Sequence, residues 1–303
     1  MSAYPPPIIR IRLDPLNPGH FLACCGVLEL AERSWGGAEG WFEGRADFFC
    51  AAPVDPEASK KHAGLTILEQ LKHAELVNMR ITDEQLRRLD ELAVATKKSK
   101  KSDPDAMDRE SHKLASEKKK LDALWDEVKD GALFLGAPFD LRLDWYLDAK
   151  TGAGRFKTWA GQQNITDIAL ELKNAIPRVL FVENSEWLFA TGACQTSLHL
   201  DAIGGGTDLD IGFSFDPLKI RAAEKRPLVE ILALIGLQRF SPRQVGENRY
   251  TYSAWHYPIA ARAAQGVARG FGAASAHAFE FRLLYRSKYL KSFLPAQLRS
   301  EQR

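Results

Sequence analysis

The sequence predicts an α+β fold, a mixed or antiparallel sheet with packed helices and an inserted helical hairpin or small bundle. Three observations predict it. Short stretches of alternating apolar and polar or aromatic residues, the signature of half-buried strands, occur near both ends and in the middle of the chain. Helical periodicity separates them without a regular strand–helix beat. No fixed-period repeat appears, which excludes solenoids and propellers. At 303 residues the chain is long enough for one large domain or two, and the pattern favours one α+β core, residues 1–60 and 131–303, interrupted by a helical insertion at 61–130.

Residues 8–13 (IIRIRL) alternate apolar and basic side chains and read as a strand with one face in the core, leaving Arg10 and Arg12 on the other. A helix with both ends marked follows. Asn17 is a capping residue, Pro18 suits the first turn because its missing N–H is not needed there, and Gly36-Gly37 closes it. Phe21, Leu22, Cys25, Leu28 and Trp35 give it an apolar face. WFEG (41–44) and DFFC (47–50) then read as a pair of short strands or a hairpin.

From about Leu65 to Asp130 the pattern becomes helical, in LTILEQLKHAELV, TDEQLRRLDELAV and LASEKKKLDALWDEV, broken by KKSKKSDPD. Thr82 and Gln85 have the spacing of a capping box. Lys97 to Lys101 is expected at a loop tip, either as a solvated basic loop or as a nucleic-acid contact. The mixed pattern resumes with FDLRLDWYLD (139–148), read as a strand, and the turn TGAGR. FKTWAGQQNITDIALELKNAI ends as an amphipathic helix, LVEILALIGLQRF (228–240) is a buried one, and RYTYSAWHYPI and HAFEFRLLYRSKYL read as strands.

Composition bounds the function. Apolar residues make up 45% and charged residues 26%, ordinary globular values, and no apolar run approaches the length of a membrane span. The start, MSAYPPPIIRIRL, lacks the features of a secretory signal, so a cytoplasmic location is expected. Cys24, Cys25, Cys50 and Cys194 have neither zinc-ligand nor disulfide spacing and read as buried thiols.

No catalytic set, metal site or cofactor is expected. Gly204-Gly205-Gly206 lacks the Gly-Lys-Ser/Thr of a phosphate loop and reads as a tight turn. His199, Asp201, Asp208 and Asp210 are turn formers in one reading and ligands for a hard metal in the other. His20 is an exposed first-turn histidine in one reading and the general base of an RNA endonuclease in the other.

Basic and aromatic residues interleave in three places, the combination that neutralises phosphates and stacks on bases. The first holds Arg155, Lys157, Trp159, Gln162 and Gln163 where a loop enters a helix. The second holds Arg243, Arg249 and Tyr252, and the third Arg282, Arg286 and Lys288. Each has a second reading, in which the aromatic side chains are core and the cations merely face water. With Arg10 and Arg12 these are the candidate nucleic-acid contacts.

The segment NPGHFLACCGVLELAERSWGGAEGWFEG (17–44) resembles the N-terminal signature of the compact large-subunit family of the type I-U (I-G) CRISPR surveillance complex, a Cascade-type assembly. Similarity continues through LRLDWYLD, FKTWAGQQ, DIGFSFDP, EILALIGLQRF and FRLLYRSKYLKSFLPAQ, spanning most of the chain outside the insertion. The resemblance implies a non-catalytic subunit that binds guide RNA and target double-stranded DNA and reads the protospacer-adjacent motif. It also implies assembly with backbone and RNA-end-binding subunits and hand-over to a separate helicase-nuclease. A repeat-RNA processing endonuclease and a protein-interaction scaffold of the same complex are the alternatives.

Overall fold

The computed structural model describes residues 4–44, 46–54, 63–99, 109–128, 131–145, 164–177, 186–194, 196–202, 225–272, 275–285 and 291–299. The fold is α+β, and every strand pairing among the described residues is antiparallel. β1 (Ile9–Arg12) buries Ile9 and Ile11 and exposes Arg10 and Arg12, as its alternation predicts. It pairs with β3 (Asp47–Ala51), which forms a hairpin with β2 (Glu39–Glu43). β9 (Ile259–Ala260) completes this first sheet in the order β1-β3-β2-β9.

α1 (Pro18–Trp35) starts where the Asn17 side chain accepts hydrogen bonds from the backbone N–H groups of Gly19 (3.0 Å) and His20 (3.4 Å). It ends at Gly36, in a positive-φ conformation. Instead of burying one face, α1 is buried all round from Pro18 to Ala31. The reason is α6 (Pro227–Leu237), apolar at nearly every position and buried at all of them, which lies along α1. The two helices touch backbone to backbone. A Cβ added at Gly26 would stand 2.1 Å from the Leu232 carbonyl oxygen, and one at Gly236 would stand 2.1 Å from that of Leu22.

Glu29 of α1 is the charged group inside this contact. Arg239, just beyond α6, holds it in a two-pronged ion pair, and Arg33 binds it at 2.7 Å. Burial pushes the Glu29 carboxyl up, but the hydrogen bonds from Arg239 and Arg33 outweigh burial and keep it below its ordinary value. Arg33 also donates to the carbonyls of Phe139 (2.8 Å) and Asp140 (2.9 Å), which ties a small third sheet to α1.

That sheet has the order β4 (Leu76–Asn78), β5 (Leu133–Leu135) and β6 (Leu141–Leu143). It narrows the expected insertion. α2 (Ala63–His73) sends Ile67, Leu68 and Leu71 into the main core, and Leu76-Val77, which continue the helical pattern of the sequence, are strand residues beside β5. The helical pair within 61–130 is α3 (Asp83–Ser99) with α4 (Arg109–Val128), joined by Arg88 and Glu117 at 2.8 and 3.0 Å. α3 opens with both halves of the capping box formed between Thr82 and Gln85 and runs into the lysine cluster as far as Ser99. α5 (Ile165–Asn174), capped by Asn164, packs on α6.

The second sheet has the order β11 (Lys291–Phe293), β10 (Ser275–Tyr285), β8 (Arg249–Trp255) and β7 (Arg243–Gly246), with β12 (Gln297–Leu298) also pairing with β10. Its inner face carries Tyr250, Tyr252, Phe279 and Phe281, and the ring of Phe21 from α1 packs on Tyr252 at 4.5 Å between centroids. α7 (Ala261–Ala268) lies against β8. Cys24, Cys25, Cys50 and Cys194 are free and buried, and burial pushes the Cys50 thiol up to about 12. Among the described residues no helix is long and apolar enough to cross a membrane.

Candidate nucleic-acid interface

The register of the second sheet assembles the site. Arg243 stands opposite Thr251, Thr251 opposite Glu280, and Glu280 opposite Gln297, so one row of polar side chains crosses four strands on the face opposite Tyr252, with Thr251 buried within it. One pair further along, Arg249 stands directly opposite Arg282. Arg299 follows β12, with its backbone N–H bonded to the Ala278 carbonyl at 2.8 Å. Arg249, Arg282 and Arg299 are exposed. Directly opposed like charges cost a sheet stability unless something compensates them.

Glu280 is the acidic side chain in this row. Arg249 grips it with two hydrogen bonds, 2.7 and 3.0 Å, and holds its carboxyl below the ordinary value, with Arg299 and Arg282 adding to the effect through space. One carboxylate thus faces three guanidinium groups, and the surface keeps a positive excess. At the far side of the row, the Arg243 guanidinium lies 6.0 Å from the centre of the Phe271 ring.

The structure brings Arg243, Arg249 and Arg282 together on this face. Tyr252 is corrected. Its ring is 1% exposed, stacked between Phe21 and Phe279, and its hydroxyl donates to the Pro15 carbonyl at 2.5 Å. It points the opposite way from Arg249 and Thr251, because successive strand residues alternate faces. Arg10 and Arg12 share the outer face of the first sheet, away from this row, and there Arg10 is paired with Asp47 at 3.2 Å and lies over Phe49. Arg155, Lys157, Trp159, Gln162, Gln163, Arg286 and Lys288 lie outside the described residues, as do Gly204 to Gly206, Asp208 and Asp210. Sequence reading missed Glu280, Gln297, Arg299 and Phe271, which only strand register and the end of α7 reveal.

His20 and Asp201, read separately from sequence, belong to one buried cluster at the start of α1. His20 is not the exposed histidine of one sequence reading but 2% exposed. Its Nδ1 accepts the Asp14 N–H at 3.2 Å, and its Nε2 lies 3.3 Å from Arg226 Nη1 and 3.6 Å from Asp201. Asn17 Nδ2 donates to Asp201 at 2.7 Å, and Arg226 lies 3.5 Å from the same carboxylate. Burial pushes the Asp201 carboxyl up, but His20, Arg226 and Asn17 together bring it below its ordinary value. Both ring nitrogens of His20 are engaged within the protein, so the cluster reads as a fastening between α1, α6 and residues 197–202.

Glu230 of α6 completes the fastening. Its carboxylate accepts from the Ser197 hydroxyl and from the backbone N–H groups of Leu198, Leu200 and Asp201, at 3.1–3.3 Å. Burial, with the negative charge of Asp201, nonetheless pushes this carboxyl up to about 7. His199 is held down to about 4 by burial and by Lys225, so it is neutral at pH 7. Compared with known proteins, the chain matches no protein-family model and no curated protein.

Proposed function

We propose that the chain is a non-catalytic subunit of an RNA-guided surveillance complex of the type I-U (I-G) CRISPR kind. In this reading the outer face of its second sheet meets the phosphate backbone of guide RNA or target double-stranded DNA. The observation that carries the nucleic-acid part is Arg249 directly opposite Arg282, both exposed, with Arg243 and Arg299 beside them and Glu280 paired to Arg249. Glu280 neutralises one of these guanidinium groups within the fold, and a polyanion would compensate the rest.

The assignment to such a complex rests on the resemblance of residues 17–44 and of the later segments to the family's sequences. Reading of the protospacer-adjacent motif, contacts to backbone and RNA-end-binding subunits, and hand-over to a helicase-nuclease belong to the same proposal. Arg10, Arg12, Arg155, Lys157, Trp159, Gln162, Gln163, Arg286 and Lys288 stay on its list of candidate contacts.

The test uses the chain co-expressed with the proteins encoded beside it, with any bound RNA sequenced. Target duplex binding is then measured at several salt concentrations for the native assembly and for Arg282→Ala/Arg299→Ala. Neither side chain is held in an ion pair among the described residues, so the change spares the fold. Each lost phosphate contact is expected to make the slope of log affinity against log salt shallower by about 0.9. Identical affinity and slope would remove this face from the interface, and an assembly that carries no RNA would remove the functional reading.

A further inference from the structure

We infer that the corner made by Arg243 and Phe271 at the end of α7 holds one unpaired nucleotide, its base stacked on Phe271 and its phosphate met by the exposed arginines of the adjoining face. This rests on the reading of the arginine face as a nucleic-acid interface and adds to it the form of strand that the corner accepts.

The argument starts at the end of α7. The Phe271 N–H bonds the Gly266 carbonyl at 3.0 Å and the Gly270 N–H bonds that of Val267 at 2.8 Å, while Gly270 takes φ +83°. This is the paired, left-handed helix ending in which the residue after the turning glycine ordinarily packs an apolar side chain back on the helix, one turn before its end. Here the position that would receive it is Gly266, which has no side chain, and its predecessor is Gln265. Phe271 is therefore denied its usual partner and stands 57% exposed. A second positive-φ glycine, Gly272 at +90°, follows at once, so the ring sits between two turns of the backbone.

The Arg243 guanidinium lies 6.0 Å from the centre of the Phe271 ring. An exposed aromatic ring beside a guanidinium, at the rim of a positive face, matches the chemistry of a nucleotide: a flat π-surface joined to an anionic phosphate. Bases inside a duplex are covered on both faces by their neighbours and offer no free surface to a protruding ring. An unpaired base does, which is why the corner selects single strands.

The test compares the full chain with Phe271→Ala and Phe271→Trp, using oligothymidylate, oligouridylate and a blunt DNA duplex of the same length. Phe271→Ala is expected to weaken both single strands about tenfold or more and to leave the duplex unchanged. Phe271→Trp is expected to retain single-strand binding. Because the ring is exposed, its loss leaves the core intact, which matching thermal melts of the three proteins verify. If the native chain binds strands and duplex but Phe271→Ala loses nothing, or loses equally on both, the nucleotide corner is overturned while the arginine face stands. If the native chain binds none of the three probes, the underlying reading of the face fails and the corner fails with it.

Discussion

The carbonyl oxygen of Leu22 on α1 occupies the place where a side chain at Gly236 on α6 would begin, 2.1 Å from its ideal Cβ. Backbone this close to backbone cannot be relieved by turning a rotamer, so the helices would have to separate. Gly236→Ala gains about 1 kcal/mol of helix propensity, but overpacking at this seam is expected to outweigh it and leave the protein about 2 kcal/mol less stable. Gly266→Ala on α7 makes the opposite case. Its added Cβ meets nothing within 4 Å, so the same substitution is expected to stabilise by about 0.5–1 kcal/mol. Urea denaturation of the two variants side by side checks the pair. A tolerated Gly236→Ala would mean that α1 and α6 are not packed as described.

A second prediction concerns pH and the fastening at Glu230. Its folded-state carboxyl is pushed up to about 7 by burial and by Asp201, above its value in the unfolded chain. Between the ordinary carboxylate range and pH 7 the folded state therefore binds more protons than the unfolded state. Stability from this group is fully present below the unfolded value and is lost as pH rises through about 7. Asp201 and Glu29, held below their ordinary values, act in the opposite sense, and their contribution is lost as pH falls through their folded values. Glu230→Gln removes only the first dependence. Over pH 5 to 8 its stability is expected to gain on the native protein by on the order of 3 kcal/mol, read from urea midpoints. Parallel pH profiles would show that Glu230 does not titrate in the folded protein over this range.

Much of the fold was legible because its signals are local. Asn17, Pro18 and Gly36 mark the ends of α1 as their chemistry requires, the alternation of IIRIRL gives β1 its two faces, and the apolar run at 228–240 yields α6. Of the third sheet only β6 was legible, inside the strand expected at 139–148. Its strands are three residues long, and Leu76-Val77 also fit the period of the preceding helix. α7 escaped notice because its buried positions, Ala261, Ala264 and Ala268, are too small to print an apolar stripe. Neither sequence reading of His20 places it in a buried cluster, because the groups that bury it, Asp201 and Arg226, are remote in sequence. The arginine row is likewise a product of register: nothing in the order of residues says that Arg249 and Arg282 will stand opposite each other.

Tyr252 shows where alternation misleads, and it supplies the third prediction. A tyrosine three residues after Arg249 on a strand suits a base-stacking site, but alternation leaves open which face is covered, and here Phe21 and Phe279 cover the tyrosine side. Tyr252→Phe keeps the ring and removes the hydroxyl that bonds the Pro15 carbonyl. A loss of about 1 kcal/mol of stability is expected, with nucleic-acid affinity unchanged. Tyr252→Ala also empties the packed space and is expected to cost about 3–5 kcal/mol. Urea midpoints and binding measured on the same preparations separate the two roles. A Tyr252→Phe protein of native stability that binds nucleic acid less tightly would place this side chain at the interface and not in the core.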